Sequence, residues 1–149
     1  MTTQSIENET FISCSEEETI LRGKYFSPSL NAGDVIALYG NLGSGKTKFT
    51  QGICEGLKVE QHVSSPTFTL INEYDSLRGK IFHFDCYRLN SVKEIFHLGF
   101  EEYLEDNGIC IIEWAERAKE LLPATRFDIH FAYGNNEHER IISIEKKGQ

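Results

Sequence analysis

Behind Asp34, the apolar residues Val35, Ile36, Ala37, Leu38 and Tyr39 run without a polar interruption, and Ile109, Cys110, Ile111 and Ile112 do the same. Runs this short, bounded by turn signals, predict buried strands over 34–39 and 109–112. Two further pairs of extended segments predict hairpins. The first joins 69–74 to 80–84 through a turn at 75–79. The second joins 126–132 to 140–145, which alternate in polarity across a Gly-Asn-Asn loop. Residues 9–13 predict a short edge strand. Helical spacing and end signals fall between these strands. Ser15-x-x-Glu18 has the form of a capping box and opens a helix to about Tyr25. A second helix is expected over 45–57. A third, capped by Asn90 or Ser91, runs to about Leu98 and stops at Gly99. Residues 100–104 add a helical turn, and a short helix over 115–122 ends before Pro123. Residues 1–8 and 146–149 are expected to be flexible. The sum is an α/β chain: residues 1–149 as a single domain, with a mixed central sheet flanked by helices and antiparallel hairpins. Ligands on such sheets gather at the carboxyl ends of the strands.

Composition narrows the partners. Fifteen Lys and Arg against 23 Asp and Glu give a net charge of −8. No basic face is evident of the kind that grips nucleic acid directly, so a role near RNA or DNA would run through a protein partner; the plain alternative is that acidity only keeps the chain soluble. The four cysteines, at 14, 54, 86 and 110, form no C-x-x-C and have no zinc-ligand spacing. Cys86 and Cys110 read as packing residues, which favours a reducing compartment. No signal peptide or bilayer-length apolar run is visible. The reading is a cytoplasmic protein without membrane contact.

The candidate chemistry starts where the first buried strand ends. Gly40-Asn41-Leu42-Gly43-Ser44-Gly45-Lys46-Thr47 fits G-x-x-x-x-G-K-[ST], placed between a strand and a helix as a phosphate-binding loop requires. The glycines let the backbone curl with its N–H groups inward, and the following helix adds free N–H groups and the positive end of its dipole. The cradle runs from Asn41 through Lys48. Lys46 brings charge to the outer phosphates, and the Thr47 hydroxyl is placed to ligate magnesium.

Other candidates sit at strand ends and in the linking loops. Asp85 follows the strand Ile81-Phe82-His83-Phe84 and matches a Walker B aspartate, against the plain alternative of a turn former. Glu113 ends the strand 109–112, where it could accept a proton from an attacking water or cap the next helix. Thr67, in Ser65-Pro66-Thr67-Phe68, is either a switch threonine meeting magnesium and the γ-phosphate or part of an ordinary turn. Trp114, the single tryptophan, could stack on adenine, mark a partner surface or pack in the core. Arg88 could stabilise phosphate charge, contact a partner or be a plain surface arginine. His83 and His97 have no partner at metal spacing and read as core or surface residues. The chain lacks [NT]-K-x-D, the guanine-reading element, so ATP is favoured over GTP.

Four stretches together resemble one family. The loop at 40–47, Ser65-Pro66-Thr67-Phe68-Thr69-Leu70, His83-Phe84-Asp85-Cys86-Tyr87-Arg88-Leu89 and Ile112-Glu113-Trp114 stand in the order seen in the bacterial TsaE (YjeE) family, a resemblance covering about 16–145. That family is the small P-loop ATPase of tRNA threonylcarbamoyladenosine synthesis. The resemblance implies binding and hydrolysis of ATP with Mg2+ in association with the TsaB–TsaD heterodimer, in which TsaD modifies adenosine 37 of tRNA. Contact with tRNA would be indirect, and the free protein a monomer with low activity of its own. Carried over to matching positions, it implies that Gly43, Ser44, Gly45, Lys46 and Thr47 hold phosphates. Thr47 and Asp85 serve the metal, Thr67 belongs to a switch-like loop, and Glu113 leads as the catalytic residue at the metal's edge. The family usually has Asp at Asn41, Ala at Ser44, Leu at Cys86 and Pro at Ala115. Two rivals predict different behaviour: a small-metabolite kinase, stimulated by its metabolite alone, and a nucleotide-switched binding module with negligible hydrolysis.

Overall fold

A computed structural model of the chain describes residues 8–66, 70–89 and 91–148. Its elements are β1 (Asn8–Ser13), α1 (Glu16–Phe26), β2 (Val35–Tyr39), α2 (Lys46–Gly56), β3 (Ile71–Ser76), β4 (Gly79–Asp85), α3 (Val92–His97), α4 (Phe100–Glu105), β5 (Ile109–Glu113), β6 (Arg126–Tyr133) and β7 (Arg140–Lys147). The seven strands form one mixed sheet in the order β1-β7-β6-β2-β5-β4-β3. β2 lies at its centre, parallel to β5 on one side and to β6 on the other, and β4 continues the parallel set beyond β5. The antiparallel hairpins β3–β4 and β6–β7 close the two flanks, and β1 adds to β7 as an edge strand.

Residues on the parallel strands alternate between two apolar layers, because successive side chains point to opposite faces. Ile36, Leu38, Ile109, Ile111 and Ile129 pack under α1 and α2 with Phe26, Phe49 and Ile53. Val35, Ala37, Phe82, Phe84, Cys110 and Ile112 pack on the other face with Ile95 and Phe100 from α3 and α4. Both β2 and β5 are buried along their whole length, which is why each reads as a continuous apolar run. The crossing of α1 and α2 is unusually close. A Cβ on Gly23 would lie 2.2 Å from the Phe49 carbonyl oxygen, and one on Gly52 would lie 1.9 Å from that of Ile20. Main chain rests on main chain there, and only glycine permits it.

Element ends follow local chemistry, with some departures from the sequence reading. Ser15 caps α1, its hydroxyl accepting from the Glu18 N–H at 3.1 Å, but Glu18 reaches back to the N–H of Cys14 rather than that of Ser15, at 2.7 Å. The first hairpin turns at Leu77-Arg78 rather than across 75–79, because Asp75 and Ser76 continue the ladder to a Ser76–Gly79 pair with Gly79 at φ 98°. Ser91 caps α3 through the N–H of Glu94; Asn90, the alternative cap, lies outside the described residues, as do Phe68 and Thr69. The expected helix over 115–122 is two separate 3₁₀ turns, Ala115–Arg117 and Lys119–Leu121. The backbone breaks between them at Ala118, with φ −114°. β1 takes in Asn8 and β7 runs on to Lys147, inside the stretches expected to be flexible.

Candidate nucleotide site

The loop after β2 is shaped by three left-handed glycines, Gly40 at φ 150°, Gly43 at 76° and Gly45 at 109°. At Gly40 a side chain is excluded twice over, since its Cβ would fall 2.7 Å from Ser44 Oγ and 2.8 Å from the Phe131 carbonyl. Gly45 is the N-cap of α2 and offers no capping side chain. The N–H groups of the first turn of α2 therefore point into the loop with no intrahelical acceptor, the arrangement that attracts a phosphate.

Lys46, in that first turn, is 4% exposed. Its ammonium donates to the carbonyls of Gly40 at 2.5 Å and Asn41 at 2.9 Å, and it lies 4.2 Å from the centre of the Trp114 ring. Burial pulls its pKa below the ordinary lysine value, against the opposing pull of the Glu113, Glu116 and Asp85 carboxylates. Trp114 reaches this position through a left-handed backbone, φ 57°, directly after β5. A bulky residue in that conformation is strained, and here the turn sets the indole under the lysine. Tyr87 packs on the same ring, with centroids 4.7 Å apart.

The strand ends bring the carboxylates in. Asp85 and Glu113 are paired in register where β4 and β5 finish, and Glu113 is also opposite Leu38 of β2. Glu113 is buried, and the Thr47 hydroxyl donates to its two oxygens at 2.9 and 3.2 Å. On its far side, Glu113 Oε2 lies 2.5 Å from His83 Nε2, itself fully buried. Asp85 accepts from the Ser65 hydroxyl and from the Tyr87 N–H, both at 2.9 Å. Thr47, Asp85 and Glu113 form an all-oxygen set, the donor chemistry that suits a hard divalent cation such as magnesium.

A cavity of about 550 Å³ opens over the loop. That is room enough for a nucleotide. Besides the residues above, it is lined by Ser15 and Thr19 at the start of α1, by Arg88, by His138 of the β6–β7 loop and by Arg140 at the start of β7. The strand ends that flank this loop also brace the tip of the phosphate cradle. The Tyr133 hydroxyl donates to the Leu42 carbonyl, and Arg140 donates to that of Gly43 at 3.2 Å.

The structure thus gathers Lys46, Thr47, Asp85, Glu113 and Trp114 at one end of the sheet. Asn41, Leu42 and Gly43 lie exposed on the loop, Ser44 is buried with its hydroxyl toward Lys46, and Lys48 pairs with Glu16 on α1 at 3.6 Å. Thr67 lies outside the described residues. Tyr133 and Arg140 carry no motif that announces them, and His83, though it opens one of the four family-like stretches, reads from the sequence only as a core or surface residue. His83 had one available signal: it sits two residues before Asp85, so on the same strand face. Elsewhere among the described residues, Asp128, His130 and Glu145 bring ligand atoms within 4.8 Å of one another. Asp128 is already paired there with Arg126 at 2.8 Å and bonded by Tyr39 at 3.0 Å. No helix of the described residues is long and apolar enough to cross a membrane.

Comparison with known proteins agrees with this geometry. The family profile described as threonylcarbamoyl adenosine biosynthesis protein TsaE matches residues 13–142. A Bacillus subtilis protein named tRNA threonylcarbamoyladenosine biosynthesis protein TsaE is 39% identical over 125 residues, 84% of this chain and 78% of the relative. A Treponema pallidum protein of the same name is 37% identical over 129 residues, covering 85% and 95%. The crystal structure of Bacillus subtilis YdiB superposes with a TM-score of 0.79 at 32% identity, covering 98% of this chain and 90% of that one.

Proposed function

Since the chain belongs to the TsaE family, and so has its role in the threonylcarbamoyladenosine modification of tRNA, we propose that it serves that pathway by magnesium-dependent hydrolysis of ATP in a complex with the TsaB–TsaD heterodimer. The observation that carries this reading is the contact between Thr47 and Glu113, 2.9 Å, which sets a phosphate loop against a buried carboxylate. Contact with tRNA is through the heterodimer, in keeping with the net charge of −8. The reaction belongs to the cytoplasm, and the free chain is a slow monomer.

Each residue has a distinct part. The N–H groups of the loop and of the first turn of α2 hold the phosphate oxygens, and Lys46 turns its ammonium from the loop carbonyls onto them. Thr47 spends its one proton on Glu113, so its hydroxyl oxygen would be left to serve as one ligand of the metal. Asp85 stands beside it as the second oxygen donor. A bound magnesium ion neutralises phosphate charge and fixes the phosphate geometry. Glu113 orients the attacking water and takes its proton. Asn41 keeps a hydrogen-bonding group where the family usually places a carboxylate.

The test measures ATP hydrolysis by the full chain with and without purified TsaB–TsaD, and scores tRNA modification over several turnovers. Hydrolysis that rises with the heterodimer and sustains repeated modification supports the reading. Stimulation by a small metabolite alone supports a kinase. Heterodimer binding that depends on ATP against ADP without hydrolysis supports a switch.

A further inference from the structure

We infer that His83 is the positioning residue for Glu113, locking the carboxylate from the sheet side so that it presents a fixed edge to the phosphate cavity. The inference rests on the reading of Glu113 as the group that handles the attacking water. Its basis is a continuous chain of contacts that runs through the protein interior and ends at the loop threonine.

His83 is fully buried in the layer that holds Ile81, Ile109 and Ile111. An imidazole has two polar nitrogens, and leaving either unpaired in an apolar layer is costly. Both are engaged. Nε2 lies 2.5 Å from Glu113 Oε2, and Nδ1 lies 3.4 Å from the Tyr74 hydroxyl. An ionised carboxylate has no proton to give, so Nε2 is the donor toward Glu113, and the bond is charge-assisted. Tyr74 is held in turn by the Asn72 amide at 3.2 Å and by contact with the Ser64 carbonyl at 3.4 Å. The imidazole cannot swing without breaking this chain.

Register explains how the pair meets. His83 is opposite Ile111 on the neighbouring strand, and Glu113 is two residues further on, so the two side chains share a face and touch on the diagonal. A glutamate at a strand end has three rotatable bonds. Thr47 grips it from the cavity side through a single proton divided between two oxygens, 2.9 and 3.2 Å away. That contact alone leaves the carboxylate free to pivot. The His83 bond removes the pivot, fixing Oε2 inward and turning the lone pairs of Oε1 toward the cavity. A partner of this kind, which orients a group that does chemistry, is worth about 10–100-fold in activity.

The test uses four variants of the full chain, assayed with TsaB–TsaD, with Mg-nucleotide affinity measured by calorimetry. His83→Leu is expected to cut kcat about 10–100-fold while KM and ADP affinity hold. His83→Gln, whose amide nitrogen falls near the place of Nε2, should recover most of the rate. His83→Asn, whose amide falls near Nδ1, should not. Adding His83→Leu to Glu113→Gln should cost nothing further. A second readout needs neither nucleotide nor metal: in protein labelled with 15N-histidine, the ring N–H proton of His83 should be shifted downfield and should move in Glu113→Gln. Near-normal kcat in His83→Leu beside an inactive Glu113→Gln would overturn the inference and leave the Glu113 reading intact. Normal kcat in Glu113→Gln would overturn that reading itself. Equal losses in the Gln and Asn variants would reduce His83 to a packing role and overturn the inference as well.

Discussion

The hydroxyl of Thr47 donates to the carboxylate of Glu113, 2.9 Å away, and ties the first turn of α2 to the end of β5. Sixty-six residues separate the two in sequence. The bond decides two things at once: which way the hydroxyl lone pairs point, and where one oxygen of the carboxylate lies.

Removing either partner should therefore have a different signature. Thr47→Val removes the hydroxyl proposed as a metal ligand, so calorimetry should show ATP affinity that no longer improves on adding magnesium, with the metal-free affinity retained. Glu113→Ala should leave Mg-ATP binding in place and lower turnover by about 10²–10⁴-fold, the range for loss of a general base. A Glu113→Ala protein that hydrolyses ATP at the wild-type rate would remove the catalytic role.

With Lys46 gripping the phosphates as proposed, its charge sets the alkaline limit of binding. Burial holds its pKa below the ordinary 10.5, and phosphate favours its charged form. Affinity for ATP should thus be level below that depressed pKa and fall as pH rises through it, with proton uptake on binding above it. Calorimetry in two alkaline buffers of unlike ionisation heat measures the uptake directly. Lys46→Arg, which stays charged, should abolish the uptake; its persistence would assign the proton elsewhere.

The buried acids predict how the fold itself fails in alkali. Burial pushes the thiols of Cys54, Cys86 and Cys110 from 9.0 up to about 12, and Tyr39 rises from 10.0 to about 12, through burial first and then its contact with Asp128. The folded values lie above the unfolded ones, so the folded state binds more protons in the interval. Stability should be level below pH 9 and fall progressively toward pH 12, seen as a declining urea midpoint. A thiol reagent at pH 8 should modify the exposed Cys14 in the folded protein and all four cysteines in denaturant.

The helix crossing is tested by Gly52→Ala. Alanine in a helix gains about 1 kcal/mol over glycine in propensity. A Cβ 1.9 Å from the Ile20 carbonyl forces main chain apart, and overpacking of this kind costs about 1–3 kcal/mol. The obstacle is backbone, which cannot turn aside, so the clash should win and the melting temperature should drop. An unchanged or higher melting temperature would show that α1 can yield.

Much of this was visible in the sequence, and what escaped did so for a physical reason. The loop at 40–47 is legible because its chemistry is local: glycines, lysine and threonine must follow one another for the backbone to curl. Asp85 and Glu113 are legible because each breaks an apolar run. Their adjacency is not, since it depends on β4 and β5 pairing in parallel across α3 and α4. His83 is hidden for the same reason, as its meaning comes from a diagonal contact with a strand 30 residues away. The two 3₁₀ turns in place of one helix part at Ala118, where φ is −114°, and no glycine or proline marks that break in the sequence.

The glycine seam between α1 and α2 limits what the nucleotide can move. Helices separated by side chains can slide, because rotamers give way; here carbonyls sit directly against Cα atoms, and there is nothing to deform. The cradle is thus anchored to the amino-terminal third of the chain. In the proposed hydrolytic cycle, movement falls instead to pieces outside this seam: the strip around Ser64 and Ser65, held by Asn72, Tyr74 and Asp85, and the β6–β7 turn beside Arg140. The proposed heterodimer would then sense the γ-phosphate through those pieces rather than through the helices behind them.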